Sequence, residues 1–200
     1  MALPSSGAIS LSAIASEFGD STPNSINEFY RGGSLVPNSS VNTNVPTSGQ
    51  ISFNDFYGAS DQLWSTTITN GYFSISGFVF VFYNGFKSGT SEDTLFSSSS
   101  NIGSGNDTTV DFLGGSNLIV LGESSVDQQS GNGNIVFEVQ GSHSNSGFTT
   151  MKIGGLTFNR TDASYTQGSS NARWVWSSVS GASPFGTVDS PQTNTSVVFE

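Results

Sequence analysis

Catalysis by this chain would depend on very few candidate side chains. Among its 200 residues there is one histidine, His143, and no cysteine. A serine nucleophile needs a base within hydrogen-bond reach, so a Ser–His pair would have to use His143, in the turn-like stretch GSHSNSG. No G-x-S-x-G elbow lies between a predicted strand and a predicted helix. We interpret His143 as an exposed loop residue, and we expect a protein that is not an enzyme.

Paired carboxylates are a second possible source of chemistry, because glycoside hydrolysis uses two of them. Sequence spacing does not set the distance between two carboxyl groups, and acidic loops are usually solvated, so depolymerisation of a polysaccharide ranks third among the functions considered. A calcium ion held by loop carboxylates is a further alternative, although the tandem repeats that build such sites are missing. We expect no cofactor. The pairs are Glu92/Asp93, Asp107/Asp111 (also the calcium candidates) and Glu123/Asp127.

Two tryptophans offer a third kind of site. Trp174 and Trp176 lie at i and i+2 in RWVWSSV and therefore share one face of a predicted strand. If they face outward, they form a platform on which the sugar rings of a host-surface glycan could stack. If they face inward, they belong to the core. The core interpretation is favoured because the chain has few aliphatic residues to fill a sandwich, and glycan stacking stays as the alternative.

The elements that must position these residues are predicted to be short strands. Hydrophobic residues make up 34% and charged residues 10% of the chain, which also has 24 glycines. Short apolar or alternating segments separated by Gly, Asn and Ser clusters are typical of a sandwich or barrel. We predict a mainly β protein with an antiparallel β-sandwich over residues 61–200, in which 72–83 is one central strand. The other predicted strands are 63–69, 108–113, 117–123, 134–140, 148–153, 155–160, 173–179 and 195–200.

The first 60 residues repeat a short pattern three times. The copies are ISLSAIASEFG (9–19), SINEFYRG (25–32) and ISFNDFYG (51–58). Ser25 with Glu28, and Ser52 with Asp55, have the spacing of a capping box, and a glycine ends each copy as a C-cap glycine does. Each copy therefore predicts a helix of one or two turns, which is too short to be stable by itself in water.

These helices must gain stability by packing, either on each other as a small satellite subdomain or on a partner. The uncharged segment 33–49 is long for a loop inside a compact domain, which favours a segment that lies across another surface. We therefore hypothesise that residues 1–60 form an anchoring segment that docks onto a larger assembly. Its docking residues would be Ile9, Leu11, Ile14, Ile26, Phe29, Tyr30, Ile51, Phe53, Phe56 and Tyr57.

The charge of the chain restricts its partners. Five basic and fifteen acidic residues give a net charge of −10, which would repel a nucleic-acid backbone and an anionic membrane. No stretch approaches the ~20 apolar residues of a membrane span, and the start MALPSSGAIS lacks the features of a signal peptide. We expect no nucleic-acid binding, no membrane insertion and synthesis in the host cytoplasm, with a more basic protein as neighbour.

Two segments carry a resemblance to a known family. SGAISLSAIASEFG (6–19) and SGQISFNDFYGAS (48–60) resemble an N-terminal module of virion proteins from tailed bacteriophages, especially marine and cyanobacterial ones. There, G-x-I-S-[LMF]-x-x-[IF] is followed by a [ILMF]-S-x-x-[DE]-[FW]-Y-G box. Residues 151–176 resemble β-rich proteins associated with phage tails more loosely.

The resemblance implies a structural protein of the virion, from the tail, baseplate or fibre. It implies other virion proteins as partners and a homo-oligomer within a symmetric assembly. It brings no catalytic residues. The alternatives are a receptor-binding module for host-surface glycans and a capsid decoration protein.

Overall fold

A computed structural model describes most of the chain. The residues outside the description are Met1, 22–23, 76–80, Leu95, Ser99, 126–131, Ala182 and 187–193. The chain divides into two compact units, one formed by Met1–Trp64 with Glu200 and the other by Ser65–Phe199. We call them the N-terminal unit and the β unit, and each is described by itself.

The N-terminal unit consists of short helices and irregular chain. Its α-helix, α1, spans Leu11–Glu17, and its 3₁₀ helices span Ile26–Glu28, Ser40–Asn42 and Phe53–Phe56. The prediction of a one- or two-turn helix in each repeat copy is confirmed. A serine occupies the N-cap of all three: Ser10, Ser25 and Ser52.

Both predicted capping boxes are present. The backbone N–H of Ser25 donates to Oε2 of Glu28 at 3.0 Å, and that of Ser52 donates to Oδ2 of Asp55 at 2.7 Å. Such bonds satisfy amide groups that a helix start leaves without a partner. The glycines that follow the three copies have φ angles of 66°, 81° and 74°, at Gly19, Gly32 and Gly58.

The three helices of the repeat pack on each other. The residues four positions after the N-cap serines, Ile14, Phe29 and Phe56, are completely buried in one apolar cluster with Phe18. The segment 33–49 contributes Val36 and Val45 to the same cluster. The expectation that this segment lies across another surface is therefore corrected, because its valines complete the core of its own unit.

The β unit is a two-sheet antiparallel sandwich, as predicted. The five-stranded sheet contains β1 (Trp64–Thr69), β4 (Ser104–Gly105), β8 (Thr150–Ile153), β9 (Leu156–Asn159) and β12 (Thr195–Phe199). The seven-stranded sheet contains β2 (Gly71–Ile75), β3 (Val81–Lys87), β5 (Thr109–Val110), β6 (Ser116–Ser125), β7 (Asn132–Gln140), β10 (Ser164–Gln167) and β11 (Asn171–Ser180). The first sheet has the order β4-β1-β12-β8-β9, and the second has the order β10-β11-β7-β6-β3-β2 with β5 paired to β6. In the first sheet β4–β1, β12–β8 and β8–β9 pair antiparallel, and in the second all the neighbouring strands do so.

The prediction of one central strand over residues 72–83 is wrong, because two strands, β2 and β3, occupy this part of the chain. β2 and β3 pair antiparallel, with Ile75 opposite Val81 and Phe73 opposite Tyr83, so the chain reverses between them. A continuous apolar run does not show where a turn falls, because both strands of a buried hairpin are apolar. β4 and β10 were not among the predicted strands, and the predicted strand 108–113 covers both β5 and the 3₁₀ helix Asp111–Leu113.

Two apolar layers stabilise the β unit. Between the sheets, the rings of Phe137 and Phe199 lie 4.7 Å apart, and Phe137 stacks on Trp174 at 5.3 Å. On the other face of the seven-stranded sheet, Tyr83 meets Phe96 at 5.1 Å. Phe96 begins a 3₁₀ helix, Phe96–Ser98, in the segment that joins β3 to β4, so this long connection covers the outer face. A further 3₁₀ helix, Arg160–Asp162, joins β9 to β10.

Candidate functional site

The ten residues predicted to dock onto a partner divide by exposure. Phe53 is 43% exposed and is one of the most exposed large apolar residues in the described part of the chain. Three are completely buried: Ile14, Phe29 and Phe56. The remaining six are half-buried: Ile9, Leu11, Ile26, Tyr30, Ile51 and Tyr57.

The repeat explains this division. In each copy the residue after the N-cap serine is apolar, and the residue three positions later is the buried one. The first residues are Leu11, Ile26 and Phe53, which we call the outer apolar set. Leu11 and Ile26 touch the edge of the core, whereas Phe53 is exposed. One repeated pattern therefore builds a core and also leaves apolar side chains accessible.

The two tyrosines of the repeat use their hydroxyl groups inside the unit. Tyr30 donates to the carbonyl of Gly49, and Tyr57 donates to the carbonyl of Gly7 at 2.6 Å. Both bonds join positions far apart in the sequence and hold loops to the repeat copies. We assign Tyr30 and Tyr57 a structural part within the unit, with their half-buried rings at its surface.

A buried asparagine that sequence analysis did not single out holds the unit together. Nδ2 of Asn42 donates to the carbonyl oxygens of Pro37 and Ser60 at 3.1 and 2.8 Å, and Oδ1 accepts from the N–H of Ser60 at 2.9 Å. Asn42 is fully buried and Ser60 nearly so. The side chain thus pairs backbone groups that would otherwise be buried without partners.

The surface of the N-terminal unit is acidic. Residues 1–60 contain four carboxylates and one basic side chain, Arg31, whose guanidinium donates to Val45 O and Asn38 Oδ1 within the unit. At the end of the unit, burial raises the pKa of Asp61, and the neighbouring carboxylates of Glu200 and Glu17 raise it further. A partner that contacts this unit would gain from basic residues next to its apolar ones.

The tryptophans do not form a surface platform. Trp174 is fully buried and Trp176 nearly so. The indole N–H of Trp174 donates to Asn145 Oδ1 at 2.9 Å, and that of Trp176 donates to the carbonyl of Asn159 at 2.7 Å. Both rings therefore face the interior, and the stacking alternative is wrong. Burial is tolerated because each indole N–H has a hydrogen-bond acceptor.

The single histidine does meet a serine, but in an arrangement unsuited to nucleophilic catalysis. Nε2 of His143 lies 3.0 Å from Ser116 Oγ and 3.0 Å from the carbonyl oxygen of Gln140. Because a carbonyl oxygen only accepts hydrogen bonds, Nε2 must carry the proton. The Ser116 hydroxyl donates instead to the carbonyl of Leu113 at 2.8 Å, so this nitrogen cannot act as its base.

The adjacent carboxylates Glu92 and Asp93 serve different structural contacts. Oε1 of Glu92 accepts from Ser169 Oγ at 2.7 Å and from the N–H of Ser170 at 2.6 Å, and these bonds lower the pKa of Glu92. Asp93 accepts from the N–H of Phe96 at 3.1 Å and lies 3.6 Å from the Arg173 guanidinium. Both carboxylates thus fix the segment between β3 and β4.

Glu138 is a buried charged residue that sequence analysis missed. Its carboxylate accepts from Ser91 Oγ, from the N–H of Glu92 at 2.7 Å and from Asn171 Nδ2 at 2.7 Å. Lys87, also buried, lies in the same row of the sheet, and burial lowers its pKa while Glu138 raises it. The strand period could have found Glu138, since it interrupts the apolar run NIVFEVQ.

As far as the structure describes them, the remaining carboxylate candidates are not grouped as metal ligands. Oδ1 of Asp107 accepts from the N–H of Thr109 at 2.9 Å, and Asp111 begins a 3₁₀ helix. Asp127 lies outside the described residues, and Glu123 is buried. Within the described residues, no group of three or more His, Asp or Glu side chains is placed to hold a metal ion.

Comparison with known proteins adds no family. No protein-family model matches the chain, and no curated protein or solved structure matches it. Within the part of the chain that the structure describes, no helix has the length and apolar character needed to cross a membrane.

Proposed function

We propose that this protein is a structural component of a bacteriophage virion, in the tail, baseplate or fibre. In this proposal the N-terminal unit docks onto other virion proteins, and the β unit packs in the particle or is displayed outward. The chain acts as a homo-oligomer within a symmetric assembly. The resemblance of residues 6–19 and 48–60 to phage virion modules supports the proposal.

The observation that carries the docking part is the arrangement of the three repeat copies. Each copy buries the residue four positions after its N-cap serine in a shared core and places the residue directly after that serine, from the outer apolar set, at the surface. The unit is thus already ordered when it meets a partner, which lowers the entropy lost on binding. Phe53 is the natural anchor, since exposed aromatic residues often supply much of the binding energy of an interface.

The charge of the N-terminal unit indicates the kind of virion protein that it contacts. Glu28 and Asp55 close the capping boxes of the copies that carry Ile26 and Phe53. Apolar side chains flanked by carboxylates fit a partner surface with an apolar pocket and basic residues at its rim. The tryptophan platform considered for glycan binding is not accessible, because Trp174 and Trp176 are buried.

The test uses the phage that encodes the protein. Phe53→Ser should reduce the copies per purified particle, measured by quantitative mass spectrometry, because losing an aromatic anchor weakens binding by roughly 30-fold. Leu156→Ser is the matched control, since Leu156 is 41% exposed in the β unit, and its incorporation should equal wild type. Absence of the wild-type protein from particles would refute the virion assignment.

Equal incorporation of the Phe53→Ser variant and the wild type would refute docking through the outer apolar set. A separate experiment labels the protein in intact particles and locates the label by electron microscopy. A label on the tail or fibre supports the proposal, whereas a label on the capsid surface indicates a decoration protein.

A further inference from the structure

Glu123 and Asn84 are opposed residues on neighbouring strands. Asn84 on β3 is the register partner of Glu123 on β6, and the two are only 6% and 5% exposed. Opposed residues of an antiparallel pair have Cβ atoms about 4.5–5.5 Å apart and point to the same face. The two side chains therefore lie side by side.

The shared face is the one between the two sheets. Glu123 is also opposite Ile135 on β7, and Ile135 is opposite Trp176 on β11. The indole of Trp176 donates to the carbonyl of Asn159 on β9, which belongs to the five-stranded sheet. Glu123 and Asn84 thus place two polar side chains in the same layer as the aromatic rings of Phe137 and Phe199.

Each of these side chains has an oxygen atom without a partner. Oδ1 of Asn84 and Oε2 of Glu123 are buried and accept no hydrogen bond. With the Asn84 amide in this orientation, an ionised carboxyl group would make both atoms acceptors, and neither could satisfy the other. A buried carboxylate oxygen without a donor is strongly unfavourable.

The surroundings of Glu123 provide little to stabilise a negative charge. Burial raises its pKa, and a hydrogen bond with Ser183, between β11 and β12, opposes this. Asn84 on β3 and Ile135 on β7 are uncharged. On β7, Gly133 passes so close that a Cβ atom there would lie 2.1 Å from Oε1. Within the described chain, no charged side chain contributes to the shift.

We propose that Glu123 is protonated in the folded protein at neutral pH and that its O–H donates to Oδ1 of Asn84. One proton then gives both oxygen atoms a partner and links β3 to β6 through their side chains. Loss of that proton leaves a buried carboxylate against an acceptor. The pair is therefore a pH-sensitive contact in the interior of the sandwich, independent of how the protein docks.

The test compares the wild type with Glu123→Gln, whose amide N–H replaces the O–H. The folded-state pKa of Glu123 lies above its unfolded value of about 4.3, so its stabilising effect is complete below that value and is lost as pH rises through the folded pKa. Between the unfolded and the folded pKa of Glu123, the unfolding equilibrium constant of the wild type, relative to that of the variant, should rise about tenfold per pH unit. Above the folded pKa it should level off. A ratio that does not change between pH 5 and 9 would overturn the proposal.

Glu92→Gln is the control in the same unit. The pKa of Glu92 is lowered, so the ratio of wild type to this variant should stay flat above pH 5. If Glu123→Gln does not fold, the side-chain carboxyl carbons of ¹³C-labelled glutamates in the wild type, followed by NMR from pH 5 to 9, decide the question. A signal assigned to Glu123 that is still protonated at pH 7 supports the proposal, and an ionised Glu123 at pH 7 contradicts it.

Discussion

Phe29 and Phe56, which occupy the same position in two copies of one repeat, meet edge to face with ring centroids 6.3 Å apart and an interplanar angle of 87°. Phe18 completes the group at 6.2 and 6.4 Å from these rings. Helices of one or two turns are unstable by themselves. The contact between repeat copies therefore supplies the stability that each copy lacks, and it separates the residues that hold the unit together from those left accessible at its surface.

Truncation of a buried aromatic residue should unfold the N-terminal unit without disturbing the β unit. Phe56→Ala should reduce the free energy of unfolding of the unit by about 3–5 kcal/mol, because it removes a fully buried ring. Hydrogen exchange of the intact chain should then speed up in residues 9–60 only. Phe53→Ala, at the exposed ring, should change stability by less than about 0.5 kcal/mol. Equal effects of the two variants would contradict the assignment of core and surface.

Asn42→Ala should be among the more damaging polar substitutions in the N-terminal unit. It leaves the buried N–H and carbonyl groups of Ser60 without their partners, which should destabilise the unit by about 2–4 kcal/mol. Asn44→Ala is the matched control, because Asn44 is exposed two residues away. Chemical unfolding followed by hydrogen exchange measures both. A loss of less than about 1 kcal/mol would show that the hydrogen bonds from Asn42 to Ser60 do not hold the unit together.

Gly103 should tolerate alanine much less well than Gly114, although their φ angles of 66° and 70° are nearly equal. A Cβ atom at Gly103 would lie 2.3 Å from the carbonyl oxygen of Gly85, whereas one at Gly114 meets nothing within 4 Å. We expect a loss of about 1–2 kcal/mol for Gly114→Ala from the left-handed backbone, and about 1–3 kcal/mol more for Gly103→Ala from overpacking. Thermal unfolding measures the difference, and similar melting temperatures would contradict the close approach.

Glu92 should make the β unit sensitive to acid. Hydrogen bonds from the Ser169 hydroxyl and the Ser170 N–H lower its pKa in the folded state. The stabilising effect is therefore present above the unfolded value of about 4.3 and is lost as pH falls through the folded pKa. Between pH 5 and 3 the wild type should lose more stability than Glu92→Gln, measured by urea unfolding at each pH. Parallel losses in the two proteins would rule out this contribution.

Features that depend on a few neighbouring residues could be predicted from the sequence. The spacing of Ser25 with Glu28 and of Ser52 with Asp55 predicts capping boxes, because the groups that bond are within one helical turn. The positions of most strands follow from their alternation and from the glycine and asparagine clusters between them. For the same reason the composition and turn signals predicted a mainly β chain with an antiparallel sandwich.

Features that depend on which element covers a face were decided only by the tertiary structure. The sequence predicted apolar faces on the three short helices but left open whether these faces cover each other or a partner. The packing of Phe29 on Phe56 shows that the buried residues of these faces cover each other. Likewise, a shared face for Trp174 and Trp176 follows from strand periodicity, whereas its inward direction depends on Asn145 and Asn159 accepting from the indoles. The physical reason is range: capping and strand alternation are satisfied within a few residues, while burial and the pairing of buried polar groups require segments that are far apart along the chain.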